Sequence, residues 1–156
     1  MEKFQEHLQL ANKAFQTADH LIYVTYPLLK EVKLIIPIAE NLYSTVINLM
    51  DAVLEYDRLY KRIDLLVDNF DVRLDIFKSN CSKRYNITKE HIDLIVELRN
   101  IIQHHKKSPM EFIRGDKFVI ASSNYSLKTV NLNNLKVYLT KVKQLSMKIN
   151  EILKWQ

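Results

Sequence analysis

One short segment of the chain carries an arginine and a histidine at a spacing that suits chemistry on RNA. Residues 97–105 read Glu-Leu-Arg-Asn-Ile-Ile-Gln-His-His, so that Arg99 and His104 are five residues apart and Asn100 follows the arginine. Histidine is the side-chain type that exchanges protons near neutral pH, and arginine offers a planar fork of donors that matches phosphate oxygens. Cleavage of RNA by its own 2′-hydroxyl needs a proton acceptor and a cation for the crowded phosphate. These residue types therefore supply what such a cleavage requires.

The segment resembles the signature of the HEPN superfamily, which is an arginine, a polar residue, any three residues and a histidine. HEPN domains are small helical bundles of similar length with this motif on a late helix. Many are metal-independent ribonucleases, and they dimerise so that two motifs face each other. The resemblance implies that His104 acts as base or acid, Arg99 clamps the phosphate and Asn100 orients either one. It also implies RNA as ligand, a homodimer and no metal or cofactor; a protein partner such as an antitoxin would fit the same pattern.

Helical geometry separates the two main residues of the motif. At 100° per residue, five steps place His104 about 140° around a straight helix from Arg99, whereas Gln103 lies on the arginine's own face. The pair converges only if the helix end is distorted or a second subunit contributes one member. The structural alternative is that Arg99 pairs with a carboxylate, while His104 and His105 end the helix and complement its negative end.

Basic residues are concentrated in the second half of the chain. Residues 1–80 hold 9 Lys and Arg against 12 Asp and Glu, whereas residues 81–156 hold 14 against 6, within a net charge of +5. Two basic pairs, Lys83-Arg84 and Lys106-Lys107, are candidate nucleic-acid-binding residues because lysine and arginine neutralise phosphates without reading sequence. The alternatives are a solvated lysine-rich surface, a non-enzymatic RNA-binding module and a helical module that oligomerises or binds protein.

Four aspartates follow one another at helical spacing in the middle of the chain. They are Asp64, Asp68, Asp71 and Asp75, which step by four, three and four residues. On one continuous helix they would line a face able to bind a hard cation. The favoured interpretation is a solvated edge beside an apolar stripe, so no metal site is predicted.

Two tyrosines lie where they would stack on bases. Tyr85 follows the Lys83-Arg84 pair, and Tyr125 lies at the tip of a predicted hairpin. Most of the eight tyrosines fall on apolar stripes, so packing is the alternative for the group as a whole. Cys81 also lies on such a stripe and is predicted to be a buried structural thiol.

The composition restricts the fold that must position these residues. The chain has one glycine, Gly115, and one cysteine in 156 residues. Phosphate-cradling loops need several glycines, so P-loop NTPases, Rossmann dehydrogenases and α/β hydrolases are excluded. One cysteine permits no internal disulfide. No apolar stretch reaches the length of about 18 residues that a membrane span requires, and no signal peptide is visible. We expect a cytoplasmic protein with no membrane contact.

Residues of one stripe recur every three to four positions in each of five segments of the chain. In the second segment the stripe consists of Ile38, Leu42, Thr45, Leu49, Ala52, Tyr56 and Leu59. The spacing predicts a first helix that ends at Pro27, a second that begins around Pro37, a third over 68–84, a fourth capped by Thr88, and a fifth from Asn131 or Asn133 to about Trp155. Short β-branched and aromatic runs over 117–130 predict a β-hairpin before the last helix. The expected fold is all-α, a single-domain up-and-down bundle of about five helices over residues 1–156 with this small hairpin.

Overall fold

Helices dominate the computed structural model, which describes residues 1–154. The helices are α1 (Lys3–His20), α2 (Tyr26–Leu29), α3 (Ile35–Leu59), α4 (Phe70–Ile76), α5 (Lys89–Lys107) and α6 (Leu132–Leu153), and the strands are β1 (Met110–Arg114), β2 (Lys117–Ala121) and β3 (Leu127–Asn131). A π turn, Leu21–Thr25, joins α1 to α2, and a second, Phe77–Cys81, extends α4. The helical segments of residues 1–154 therefore form five rods, which confirms the mostly helical prediction.

Helix α3 lies at the centre of the bundle. It packs against α1, α5 and α6. The predicted stripe along it is confirmed over Ile38–Ala52, because Leu42, Leu49 and Ala52 have no solvent exposure, whereas Leu59 at its end is 45% exposed. Burial of such a continuous apolar face is the main stabilising term of a helical bundle, at about 25 cal/mol for each Å² removed from water.

The predicted hairpin is part of a larger sheet. Three antiparallel strands pair in the order β1-β2-β3, so the expectation of two strands was wrong by one. Arg114 pairs with Lys117 across the two-residue turn Gly115-Asp116, and Gly115 has φ +67°. Glycine at the first turn position is typical of type II′ hairpins, whose twist matches that of the strands. The single glycine therefore closes the hairpin that the prediction missed.

The first rod continues through Pro27, contrary to the predicted stop. The backbone N–H of Tyr26 donates to the carbonyl of Leu21, five residues earlier, in the π turn that precedes the proline. Proline lacks an N–H and its ring crowds the carbonyl four residues back, and the wider turn relieves both problems. The rod ends at Leu29, after which Lys30 adopts the left-handed conformation with φ +51°.

Side-chain caps fix where α5 and α6 begin. The Thr88 hydroxyl accepts a hydrogen bond from the His91 N–H at 3.4 Å, and the Asn131 side chain accepts one from the Asn134 N–H at 2.8 Å. The Thr88 cap was predicted, and Asn131 is one of the two caps predicted for the last helix. The predicted extension of that helix to Trp155 lies outside the described residues. The Thr88 cap sets the start of α5, and therefore how far along the helix its functional residues lie. Within residues 1–154, no helix is both long and apolar enough to cross a bilayer.

Candidate functional site

Helix α5 directs part of the predicted motif into a groove beside the sheet. The groove has a volume of about 270 Å³ and is lined by Asn100, Gln103, His104, Lys107, Ser108, Ile120, Ser122 and Ser123. Asn100, His104 and Lys107 are spaced by four and three residues, so they follow one face of α5 over its last two turns. The structure therefore brings Asn100 and His104 together, with one of the predicted basic residues.

The sheet forms the opposite wall of this groove. Ile120, on the central strand β2, is 2% exposed and gives that wall an apolar base. The Ser108 hydroxyl is within hydrogen-bond distance of two carbonyl oxygens, at 2.7 Å from that of Met110 and 2.5 Å from that of Ala121. These contacts link the end of α5 to β1 and β2, so the groove has defined walls on both sides.

His105 reinforces the same junction from the other side of the helix. Its Nδ1 lies 2.6 Å from Oε2 of Glu111 on β1, and both side chains are partly buried. Two adjacent histidines therefore have different environments, since His105 attaches the sheet to α5 whereas His104 is exposed in the groove.

Arg99 is held on a different side of α5, where α3, α4 and α5 meet. Its guanidinium carbon lies 4.1 Å from the centre of the Phe70 ring, and the group donates a hydrogen bond to the Tyr43 hydroxyl. Burial raises the pKa of Tyr43, and the positive charge of Arg99 partly opposes that rise. In the described residues 1–154, the buried Nε of Arg99 has no hydrogen-bond acceptor.

The structure does not bring Arg99 and His104 into one cleft of a single subunit. Arg99 does not belong to the groove lining, and its guanidinium lies on an aromatic ring. The angle of about 140° expected for a straight helix accounts for this separation. The structural alternative gave Arg99 a carboxylate partner, and the structure places the Phe70 ring and the Tyr43 hydroxyl there instead.

The four predicted basic residues lie at opposite ends of α5. Lys107 lines the groove, and Lys106 is exposed outside it. Lys83 and Arg84 precede the start of α5, and a helix of 19 residues is about 28 Å long. Arg84 is also engaged in an ion pair with the carboxylate of Asp57. These residues therefore do not form one continuous surface.

Asp57, near the end of α3, is a buried carboxylate that was not predicted from the sequence. Asp57 has no solvent exposure, and it accepts hydrogen bonds from Arg62 Nη1 at 3.3 Å, from Arg84 and from the Tyr85 hydroxyl. The sequence did contain a signal, because Asp57 is four residues after buried Val53 and therefore on the buried face of α3. Its role is structural: it joins α3 to the segments on either side of α4.

Cys81 also belongs to this network. Its Sγ donates to Oδ2 of Asp57 at 3.1 Å, and the side chain is fully buried, as the sequence predicted. Burial raises the pKa of the Cys81 thiol far above its ordinary value, and the hydrogen bond to Asp57 raises it further. The sulfur is therefore held as a thiol, which is a poor nucleophile.

The acidic series does not lie on one helix. Asp64 and Asp68 occupy the irregular segment before α4, whereas Asp71 and Asp75 are on α4. In residues 1–154, no cluster of three or more histidine, cysteine or acidic side chains has the arrangement of a metal site.

Comparisons with protein-family models, curated proteins and solved structures found no match to this chain.

Proposed function

We propose that this protein binds RNA through the groove between the last turns of α5 and the sheet. The observation that carries the proposal is that Asn100, His104 and Lys107 line this groove together. An amide, an imidazole and an ammonium group on successive turns provide donors and acceptors for phosphate and ribose oxygens. The Ser123 hydroxyl on the opposite wall adds a further partner of the same kind.

The charge distribution supports a polyanionic ligand. The half of the chain that contains the groove holds 14 basic and 6 acidic residues. Contacts of lysine with phosphates release counterions, so RNA affinity is expected to fall steeply as salt rises. The groove has few basic side chains of its own, and we therefore expect backbone recognition of moderate affinity.

Two adjacent lysines provide a matched test of the binding site. Lys107→Gln and Lys106→Gln remove the same charge, but only Lys107 lines the groove. With an end-labelled oligonucleotide and fluorescence anisotropy, we expect Lys107→Gln to weaken binding several-fold and to lower the salt slope by about 0.7, the value for one phosphate of a single strand. Lys106→Gln is expected to have a much smaller effect. Equal losses in both variants would show that only overall charge matters and would contradict a site in the groove.

Metal-independent RNA cleavage by a HEPN-like dimer is the second candidate function. The observation that favours it is that His104 is exposed in the groove, one turn after Asn100, where an imidazole can reach a bound ribose. Within one subunit the groove's cation is Lys107, because Arg99 is held against Phe70. A second motif facing the first, as the family resemblance implies, would supply further groups.

Cleavage is tested in EDTA with wild type, His104→Ala and His20→Ala, whose histidine is exposed on α1. We expect cleavage by wild type and His20→Ala but loss of cleavage in His104→Ala, with RNA affinity changed less than threefold. Equal cleavage by all three would assign the activity to a contaminant. A defined dimer that binds no RNA at low salt would instead favour the protein-interaction module.

A further inference from the structure

Tyr125 is an aromatic side chain almost completely surrounded by solvent. It is 91% exposed, more than any other large apolar or aromatic side chain that the structure describes. It lies in the loop between β2 and β3, where Ser122 and Ser126 close a three-residue connection through the Ser122 N–H, which donates to the Ser126 carbonyl at 2.8 Å. The packing expected for most of the tyrosines is therefore not found at this position.

The backbone at Tyr125 has a conformation that disfavours a bulky residue. Its φ is +67°, in the left-handed region, where the Cβ of an L-residue crowds the backbone. The last position of a three-residue hairpin loop normally carries glycine for this reason. Tyr125 therefore occupies a position at which the backbone conformation favours glycine over a bulky residue.

Hydrogen bonds within the loop hold this backbone in place. The Tyr125 N–H donates to the Ser122 carbonyl at 3.0 Å, which defines a β-turn over Ser122–Tyr125. The Ser126 N–H donates to the Ser122 hydroxyl at 3.1 Å and to Oδ1 of Asn124 at 3.3 Å, and the Ser126 hydroxyl donates to the same Oδ1 at 3.0 Å. Because the loop is already ordered, it would lose little conformational entropy when a ligand contacts the ring.

The same turn forms part of the groove wall. Ser122 and Ser123 line the groove opposite His104 and Lys107, and the ends of a β-turn lie within about 7 Å of each other. The Tyr125 backbone is therefore next to the groove. Proteins that bind single-stranded nucleic acid combine a polar or basic channel for the backbone with aromatic rings on which bases stack.

We propose that Tyr125 stacks on an unpaired base of an RNA strand whose backbone occupies the groove, so that the site selects single-stranded over duplex RNA. The proposal rests on the function proposed above and adds the class of substrate. In an A-form duplex the bases are stacked within the helix, and an exposed ring on a loop cannot reach their faces. Stacking would therefore favour only the single strand.

The test compares wild type with Tyr125→Phe and Tyr125→Asn, with oligouridylate and an oligoadenylate–oligouridylate duplex as probes. Asparagine tolerates the left-handed conformation and so preserves the loop, whereas phenylalanine preserves the ring. We expect Tyr125→Asn to weaken single-strand binding between about fivefold and thirtyfold, duplex binding to change less than twofold, and Tyr125→Phe to resemble wild type. A fluorescent adenine analogue within the strand should be quenched by wild type and Tyr125→Phe but much less by Tyr125→Asn.

The outcomes separate this proposal from the one on which it depends. If wild type binds neither probe, the RNA-binding function itself is wrong. If wild type binds the single strand and Tyr125→Asn binds it equally well, the groove function stands and stacking is overturned. Equal losses on both probes, or a Tyr125→Phe loss as large as that of Tyr125→Asn, would also overturn stacking, because a backbone contact or the hydroxyl would then be responsible.

Discussion

The guanidinium of Arg99 lies over the ring of Phe70, 4.1 Å from its centre, and so links α5 to α4. A cation over an aromatic face is attracted by the ring's quadrupole, and the arginine stem covers apolar surface at the same time. The arginine of the predicted motif therefore has a structural contact that is independent of any substrate.

This contact predicts a loss of stability on substitution. Arg99→Ala should lower the free energy of unfolding by about 1–2 kcal/mol, because it removes the cation–π contact and the hydrogen bond to Tyr43. The control is Arg58→Ala, whose pair with Glu55 at 3.8 Å is partly exposed and should contribute less than about 0.5 kcal/mol. Urea unfolding followed by circular dichroism measures both. An Arg99→Ala protein as stable as Arg58→Ala would show that the contact with Phe70 contributes nothing.

The buried Asp57 predicts a larger effect. Asp57→Asn should destabilise the protein by about 3 kcal/mol or more, because Arg62 and Arg84 lose their common carboxylate. Asp64→Asn, at an exposed position in the segment after α3, should change stability by less than about 0.5 kcal/mol. Thermal unfolding of the two variants beside wild type provides the comparison. Similar melting temperatures for the two variants would contradict a structural role for the network.

His91 predicts a pH dependence of stability. Burial lowers its pKa below the ordinary value of 6.5, and the nearby Lys148 lowers it further. As the pH falls, the His91 ring is therefore protonated in the unfolded chain at a higher pH than in the folded protein. The free energy of unfolding decreases as the pH falls from the ordinary pKa of 6.5 toward the lower pKa of the folded protein. The free energy of unfolding should drop less between about pH 7.5 and about pH 5.5 in His91→Gln than in wild type. A drop of the same size in both proteins would contradict the assignment to His91.

Substitutions at two positions of positive φ are expected to change the free energy of unfolding in opposite directions. Gly115→Ala should lower the free energy of unfolding by about 1 kcal/mol, because φ is +67° there, although an added Cβ meets no atom within 4 Å. Tyr125→Gly should raise it by about 0.5 kcal/mol, since relief of strain exceeds the added entropy of the unfolded chain. Asp116→Ala is the control in the turn at Gly115. Urea unfolding measures the free energy of unfolding of each variant. A change in the same direction for Gly115→Ala and Tyr125→Gly would contradict the backbone argument.

Much of the fold could be predicted because helical periodicity and caps are local properties. The α3 stripe and the caps at Thr88 and Asn131 follow from residues within a few positions of each other. The predicted helix end at Pro27 was wrong because a π turn replaces the α-helical turn before the proline. Whether such a turn forms depends on the missing proline N–H and also on the packing of the whole rod, which is not a local property. Strand β1 was missed although the Gly115-Asp116 turn is a hairpin signal.

The candidate site was predictable only in part. Periodicity correctly indicated that Arg99 and His104 lie on different sides of α5. The second wall of the groove comes from Ile120 on β2 and from Ser122 directly after that strand. The position of the sheet depends on tertiary packing and on the contact between His105 and Glu111. Side-chain spacing along one helix contains no information about that wall.

The two π turns have a consequence for changes in chain length. Each π turn holds one residue more than the α-helical turn it replaces, so Leu21–Thr25 and Phe77–Cys81 each accommodate an insertion inside a rod. Removal of one residue from Phe77–Cys81 would convert that turn to α-helix, whereas the same removal from Leu21–Thr25 would restore the clash of the Pro27 ring with the carbonyl four residues back. The same deletion in the middle of α3 or α5 would rotate the following buried face by about 100° away from its neighbours. Natural variation in length by single residues is therefore expected at Phe77–Cys81, whereas α3 and α5 keep a fixed number of residues and Leu21–Thr25 keeps its extra residue wherever Pro27 is present.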